Sequence, residues 1–185
     1  RFAYIPGIIN LANLKTLVNE PYSHRFLVDG PVVVSTRKQT PGKNVLVGSL
    51  GRGGKGVFAL DVTDPANFNQ SKVLWEVDGT DNDMGMVISR PIITKANNNM
   101  QVAIVSNGIN STDGKPILFV FDLATGNQVK KLTPTGPAAS LTGNGLSAAT
   151  GIDINVDGKD DWVYAGDLKG NIWKYDLRNV NPGGW

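Results

Sequence analysis

VFALD at residues 57–61 returns as LFVFD at 118–122 and as IWKYD at 172–176. Each is a short apolar run of strand character that ends on an aspartate, so Asp61, Asp122 and Asp176 occupy equivalent positions. Three longer copies grow outward from these segments, over residues 30–65, 89–126 and 149–179. Each copy reads strand, turn, strand, Gly-rich turn, strand, and a fourth strand is supplied by VLWEV (73–77) and by QVKKL (128–132). Self-similarity of this kind marks a repeat architecture, and a four-stranded unit suits a propeller blade better than a sandwich. The predicted fold class is all-β: a modified or partial β-propeller of antiparallel four-stranded blades, three repeats visible, with one short N-terminal helix. Three blades do not close a ring, since propellers run from about four. The chain is therefore read as a single domain over 1–185 that is a fragment of a larger propeller. Within it, 1–29 is a helix and lead-in, 30–77 repeat one, 89–132 repeat two and 149–179 repeat three.

In the lead-in, Ile8, Leu11, Leu14, Leu17 and Val18 recur at helical spacing until Pro21 interrupts them, which predicts an amphipathic helix over 8–20. Composition narrows the function classes. The 185 residues are 41% hydrophobic and carry a formal net charge of +2 without a basic run, so neither a nucleic-acid footprint nor a polybasic membrane anchor is indicated. Cysteine is absent, which excludes disulfides, thiolate metal sites and a cysteine nucleophile. No apolar run approaches the ~20 residues that span a bilayer. The first residues, RFAYIPG, are not a signal peptide, so an export signal is expected to lie outside this chain.

One stretch stands apart from this low-charge background. DINVDGKDD (153–161) opens the turn between the first and second strands of repeat three. Counted from Asp153, oxygen-bearing side chains stand at positions 1, 3, 5 and 9, with Gly158 sixth and Lys159 seventh, as in the first nine positions of an EF-hand loop. The expected ligands are Asp153, Asn155, Asp157, the carbonyl of Lys159 and both oxygens of Asp161, completed by a water. Carboxylates gathered this closely repel one another, and a hard divalent cation removes the repulsion. Many oxygen ligands on a flexible loop favour Ca2+ over magnesium. Asp160 falls out of register and is expected to face solvent. Position twelve is Tyr164 instead of the closing glutamate, so the loop belongs to a β-hairpin and not to a helix-loop-helix sensor. The plain alternative is a polar turn, because Asp, Asn and Gly favour turns for reasons of their own.

Three segments together, YSHRFLVDG (22–30), VLVGSLGRGGKGVFALDVTDP (45–65) and DINVDGKDDWVYAGDLKGNIWKYDL (153–177), resemble the C-terminal β-propeller of the PilC/PilY family of type IV pilus biogenesis and tip adhesin proteins. The resemblance covers most of the chain. It implies an exported module at the cell surface, pilus tip or outer membrane, acting in pilus biogenesis, twitching motility and adhesion. Its implied partners are minor pilins and host-cell or surface ligands, with no nucleic acid and no membrane-spanning segment. The family's calcium loop carries over onto Asp153, Asn155, Asp157, Lys159 and Asp161, and calcium occupancy there is implied to favour pilus extension over retraction. The large N-terminal region of such proteins, to which adhesive specificity is attributed, is not in this chain.

Other features read more plainly. GRGGKG (51–56) joins two strands, whereas phosphate loops join a strand to a helix. Asp78, Asp81 and Asp83 offer a second cation site, against a solvated interblade loop. His24, the sole histidine, is expected to hydrogen-bond locally, and Trp75, Trp162 and Trp173 to pack between blades. NST (110–112) matches a glycosylation sequon. Three readings follow: a non-enzymatic pilus module without catalytic residues or an organic cofactor, a non-pilus propeller scaffold binding an unrelated partner, and a quinoprotein-type propeller dehydrogenase. The dehydrogenase reading calls for a cofactor-stacking Trp, a Trp in each blade motif and, in many members, vicinal cysteines; the chain has no cysteine.

Overall fold

The computed structural model describes residues 2–140 and 142–185. Eleven strands form three antiparallel sheets. The first has the order β1 (Val32–Val34), β2 (Val45–Ser49), β3 (Gly56–Asp61), β4 (Val73–Asp78). The second repeats it with β5 (Ile92–Lys95), β6 (Gln101–Ser106), β7 (Leu118–Asp122) and β8 (Gln128–Leu132). The third consists of β9 (Leu146–Ile152), β10 (Trp162–Asp167) and β11 (Ile172–Asp176), in the order β11-β10-β9. Sequential up-and-down pairing within each sheet is the topology of propeller blades, and three such sheets make a partial propeller.

The register places the repeated aspartates alike. Asp61 pairs with Val45, Asp122 with Val102 and Asp176 with Trp162. Each then turns the chain in the same way, its carboxylate accepting the amide N–H of Thr63, of Ala124 and Thr125, or of Arg178. The conserved geometry is thus an aspartate-capped turn, which is why this residue recurs where side-chain-to-backbone bonds compete with the ladder.

Strand periodicity sorts the core. Val45, Val47, Ala59 and Trp75 of the first sheet meet Ala103, Val105, Phe119 and Phe121 of the second. On the opposite face of the second sheet, Val102, Ile104, Leu118 and Val120 meet Val163, Ala165 and Tyr175 of the third. The outer face of the first sheet, with Phe58 and Leu60, is covered by Tyr4, Ile8 and Ile9 of the lead-in. Both interfaces are pinned by polar side chains. The Trp75 indole donates to the Leu123 carbonyl at 2.9 Å, and the ring packs on Gly126 (φ +73°), where a Cβ would come within 2.6 Å of it. Buried Asn107 uses its whole hydrogen-bonding capacity, donating to the carbonyls of Asp83 and Lys115 and accepting from the amides of Ile117 and Leu146. Leu146 opens β9, so this one amide ties the second sheet to the third.

The lead-in departs from the expected helix. Only Leu11–Lys15 is α-helical (α1), followed by a 3-10 turn at Thr16–Val18. The Asn10 side chain caps the start by accepting from Ala12, and none of the residues of α1 is buried. Ile8, read as the start of the stripe, packs with Ile9 on the first sheet ahead of the cap, leaving too few residues to build a buried helical face. Trp162 also departs from expectation. It lies on the outer face of the third sheet beneath Lys174, whose ammonium stands 3.1 Å from the ring centroid, while Trp75 and Trp173 do pack between sheets. No helix among the described residues is long and apolar enough to cross a membrane.

Candidate metal centre

The 153–161 loop leaves β9 at Ile152 and enters β10 at Trp162, and two ladder-like bonds close its neck: Asp161 N–H to the Ile152 carbonyl and Leu177 N–H to the Asp161 carbonyl, both at 2.8 Å. Inside it, the acidic and amide side chains wrap the backbone. Asp153 accepts from the amides of Asp157 (3.1 Å) and Gly158 (2.7 Å), Asn155 from Asp157 (3.2 Å), and Asp157 from Lys159 (3.0 Å). The sharp turn this demands uses two left-handed residues, Gly158 at φ +85° and Val156 at φ +61°. Glycine adopts such an angle freely, whereas a β-branched residue does so at a cost. The valine side chain is 81% exposed, so no packing accounts for it.

Asp161 sits at the base of the loop and is 5% exposed. One of its oxygens accepts from the Ile154 amide at 2.9 Å and the other faces the Asn97 side-chain amide at 3.4 Å. A carboxylate this deep is costly unless its charge is compensated. Asp160, expected to face solvent, turns inward instead. Its backbone N–H donates to the Lys95 carbonyl at 3.2 Å and its carboxylate lies against Gly151, where any Cβ would collide with it. The reason is strand alternation: with Asp161 turned to the loop's base at the start of β10, its neighbour is directed to the opposite side, toward the second sheet. Burial pushes the Asp160 carboxyl above the usual carboxylate range, the Thr94 hydroxyl opposes the shift, and the charges of Asp153 and Asp161 add to it. Asp153 and Asp160 line a cleft of about 340 Å³ that also admits Lys38, Gln39 and Thr94.

The sequence-derived ligand set thus shares one loop, with Asp153, Asn155 and Asp157 turned onto its amides and Asp161 beneath. Among the described residues no three acidic or imidazole side chains gather about one point within metal-binding reach. The Asp157 carboxylate is also drawn to the Lys159 ammonium at 3.3 Å. The donor chemistry nevertheless fits a hard cation. Every candidate ligand is an oxygen, and Asp161 is a buried carboxylate whose direct hydrogen-bond partners are neutral amides, with the Arg178 guanidinium acting through space.

The other acidic segment behaves differently. Asp78 caps the following turn through Thr80, while Asp81 and Asp83 receive the Lys131 ammonium at 2.6 and 2.9 Å. A side-chain cation from β8 therefore occupies the place that a metal would take, and the segment is an ion-paired junction and not a solvated loop. GRGGKG forms a tight turn between β2 and β3, with Asp29 accepting the Arg52 amide at 2.6 Å and Gly53 against the Leu27 backbone. His24 bonds locally to the Tyr22 hydroxyl at 3.2 Å. Sequence reasoning missed Asn97 and Asn107. Asn107 could have been found at the end of the second strand of its repeat, where Asp167 stands in the third. Both positions donate their backbone N–H to the carbonyl of the residue just before the next strand, Ile117 before β7 and Asn171 before β11.

Comparison with known proteins agrees with this architecture. The family model of the PilY1 beta-propeller domain matches residues 1–183. A type IV pilus biogenesis factor PilY1 homolog of Xylella fastidiosa is 41% identical over 194 aligned residues, covering 100% of this chain and 13% of the relative. The type IV pilus biogenesis factor PilY1 of Pseudomonas aeruginosa is 42% identical over 182 residues, covering 95% of this chain and 15% of the relative. The crystal structure of the Pseudomonas aeruginosa PilY1 C-terminal domain superposes with a TM-score of 0.72 at 42% identity, over 81% of this chain and 30% of that one. The chain, which spans about a seventh of the length of these two curated relatives, therefore belongs to the PilY1 β-propeller family.

Proposed function

We propose that this chain is the calcium-binding propeller module of a surface-exposed type IV pilus biogenesis and adhesion protein, and that calcium occupancy of the 153–161 loop biases pilus extension against retraction. The observation that carries the reading is the buried carboxylate of Asp161, hydrogen-bonded to amides, at the base of a loop whose remaining acidic and amide side chains wrap its own backbone. Asp153, Asn155, Asp157, the Lys159 carbonyl and Asp161 would hold the ion, whose charge would offset the repulsion among the three carboxylates. Asp153 fixes the turn by capping the amides of Asp157 and Gly158, and Asp161 fixes the loop to β10. A loop held at both ends presents one surface to the pilus machinery, minor pilins in the first instance, and a loosened loop does not. The role is one of binding, without a catalytic step, and extends to twitching motility and surface attachment.

Calorimetric titration of the metal-stripped protein tests the reading. The expected result is a single calcium site, weak or silent toward magnesium and lost in Asp157→Ala. No heat from the intact, folded protein would reduce the loop to a polar turn.

A further inference from the structure

The exit of the 153–161 loop is held by the neighbouring sheet as well as by its own hairpin. Asn97 lies in the turn between β5 and β6, and its side-chain amide donates to the Leu177 carbonyl at 3.1 Å. The same amide nitrogen stands 3.4 Å from the Asp160 carbonyl and 3.4 Å from the Asp161 carboxylate. Two hydrogens are thus shared among three acceptors, the firmest bond going to Leu177. Two residues further back, the Lys95 carbonyl accepts the Asp160 amide, and Leu177 returns its own N–H to the Asp161 carbonyl. The result is a closed circuit of second-sheet turn, loop exit and the end of β11, with the Asp161 carboxylate at its centre.

We infer that Asn97 is a positioning residue for the cation loop: from the second sheet it holds the Asp161 carboxylate at the loop's base and so couples cation occupancy to the contact between the second and third sheets. The inference rests on the reading of 153–161 as a cation site. Residues that orient a metal ligand from behind typically change metal affinity by about 10–100-fold when removed. Linkage then runs both ways: a sheet contact that favours cation binding is itself tightened by the cation.

The test is calcium titration of the intact metal-stripped protein as wild type, Asn97→Ala, Asn97→Ser and Asp157→Ala, with thermal unfolding of each with and without calcium. Asn97→Ala is expected to weaken calcium binding about tenfold or more and to reduce the rise in Tm that calcium confers, because that rise depends on the ratio of free calcium to Kd. Asn97→Ser, which keeps one donor, should fall between, and it serves if the alanine variant does not fold. Calcium should also slow amide exchange at Leu177 in the wild type and not in Asn97→Ala. Wild-type affinity in both Asn97 variants, with Tm lowered equally in the presence and absence of calcium, would make Asn97 a structural residue only and overturn the inference while leaving the site intact. No calcium binding by the wild type, or undiminished binding by Asp157→Ala, would overturn the site reading, and the inference with it.

Discussion

Replacing Asn107 by alanine should be among the most damaging single changes in this chain. The residue is fully buried and makes four hydrogen bonds: 2.9 Å to the Asp83 carbonyl, 2.7 Å to the Lys115 carbonyl, 3.1 Å from the Ile117 amide and 2.9 Å from the Leu146 amide. Each bond contributes about 1 kcal/mol net, and a buried group left unpaired costs about 1–3 kcal/mol. Ile117 and Leu146 are themselves buried, so their amides have little access to water after truncation. Four bonds at the net figure give a loss of about 4 kcal/mol, a large share of the roughly 5–15 kcal/mol that stabilises a typical domain. At about 2–4 °C per kcal/mol for a protein of this size, Tm should fall by about 8–16 °C. Urea unfolding followed by tryptophan fluorescence measures the effect, with the slope of the transition unchanged if the native and unfolded states keep their compactness. Asn107→Asp separates the two halves of the role. It keeps both acceptor bonds but turns a carboxylate toward two carbonyls, which raises its pKa in the folded state. Its stability deficit should therefore shrink as pH falls below that raised pKa, where the protonated acid donates again. A loss below about 1.5 kcal/mol in Asn107→Ala, no more than one or two ordinary hydrogen bonds, would refute the idea that this amide ties the sheets together.

Two further outcomes follow from the same geometry. Asp167 accepts from the amides of Lys169 and Asn171, the side chains of Asn144 and Asn171, and the Trp173 indole. Burial works to raise its pKa, but the bonds from Asn171, Asn144 and Trp173 outweigh it and hold the carboxyl well below the usual range. Its stabilisation is thus fully present above the unfolded pKa of about 3.9 and is lost as pH falls toward the folded value. Asp167→Asn should cost about 2–3 kcal/mol at pH 7, as for bonds to a charged group, and should flatten the acid limb of a stability–pH curve; an unchanged limb would remove Asp167 as its source. Val156→Asn should raise stability by about 1 kcal/mol by relieving a left-handed β-branched residue, read as an upward shift in Tm with calcium affinity retained. A drop in Tm would show that the exposed valine serves a contact of its own.

How much of this could be read from the chain depended on whether the information was local. The strands and their repeat were legible because pairing within a sheet is sequential, so the alternation of β2, β3 and β4 and the aspartate closing β3, β7 and β11 sit in contiguous segments. The loop was legible for the same reason, since its candidate ligands fall within nine residues. The helix was overread because Ile8 shares the spacing of α1 but is claimed, with Ile9, by the first sheet, a tertiary contact that outcompetes a weak local preference. Asp160 was misplaced because its side of the strand is set by the neighbouring sheet, with the Lys95 carbonyl 65 positions earlier in the chain taking its amide. Asp81 and Asp83 read as a solvated loop, with a second cation site as the lesser alternative, because Lys131, which pairs with both, lies distant in sequence.

The contrast between the two acidic segments bears on how a cation site is recognised. Both are rich in aspartate and both lie in connections beside the second sheet. In one, an ammonium from β8 reaches the carboxylates and neutralises them within the fold. In the other, Lys159 pairs with Asp157 at 3.3 Å, while buried Asp161 accepts hydrogen bonds from neutral amides and the Arg178 guanidinium acts on it through space. The first cluster is thus ion-paired directly within the fold, whereas the buried carboxylate of the second has amide dipoles in contact and the Arg178 charge only through space. That difference, more than the count of aspartates, is what sets the 153–161 loop apart, and it is also why Asn97, a dipole donor in the place where the other cluster has a lysine, matters to it.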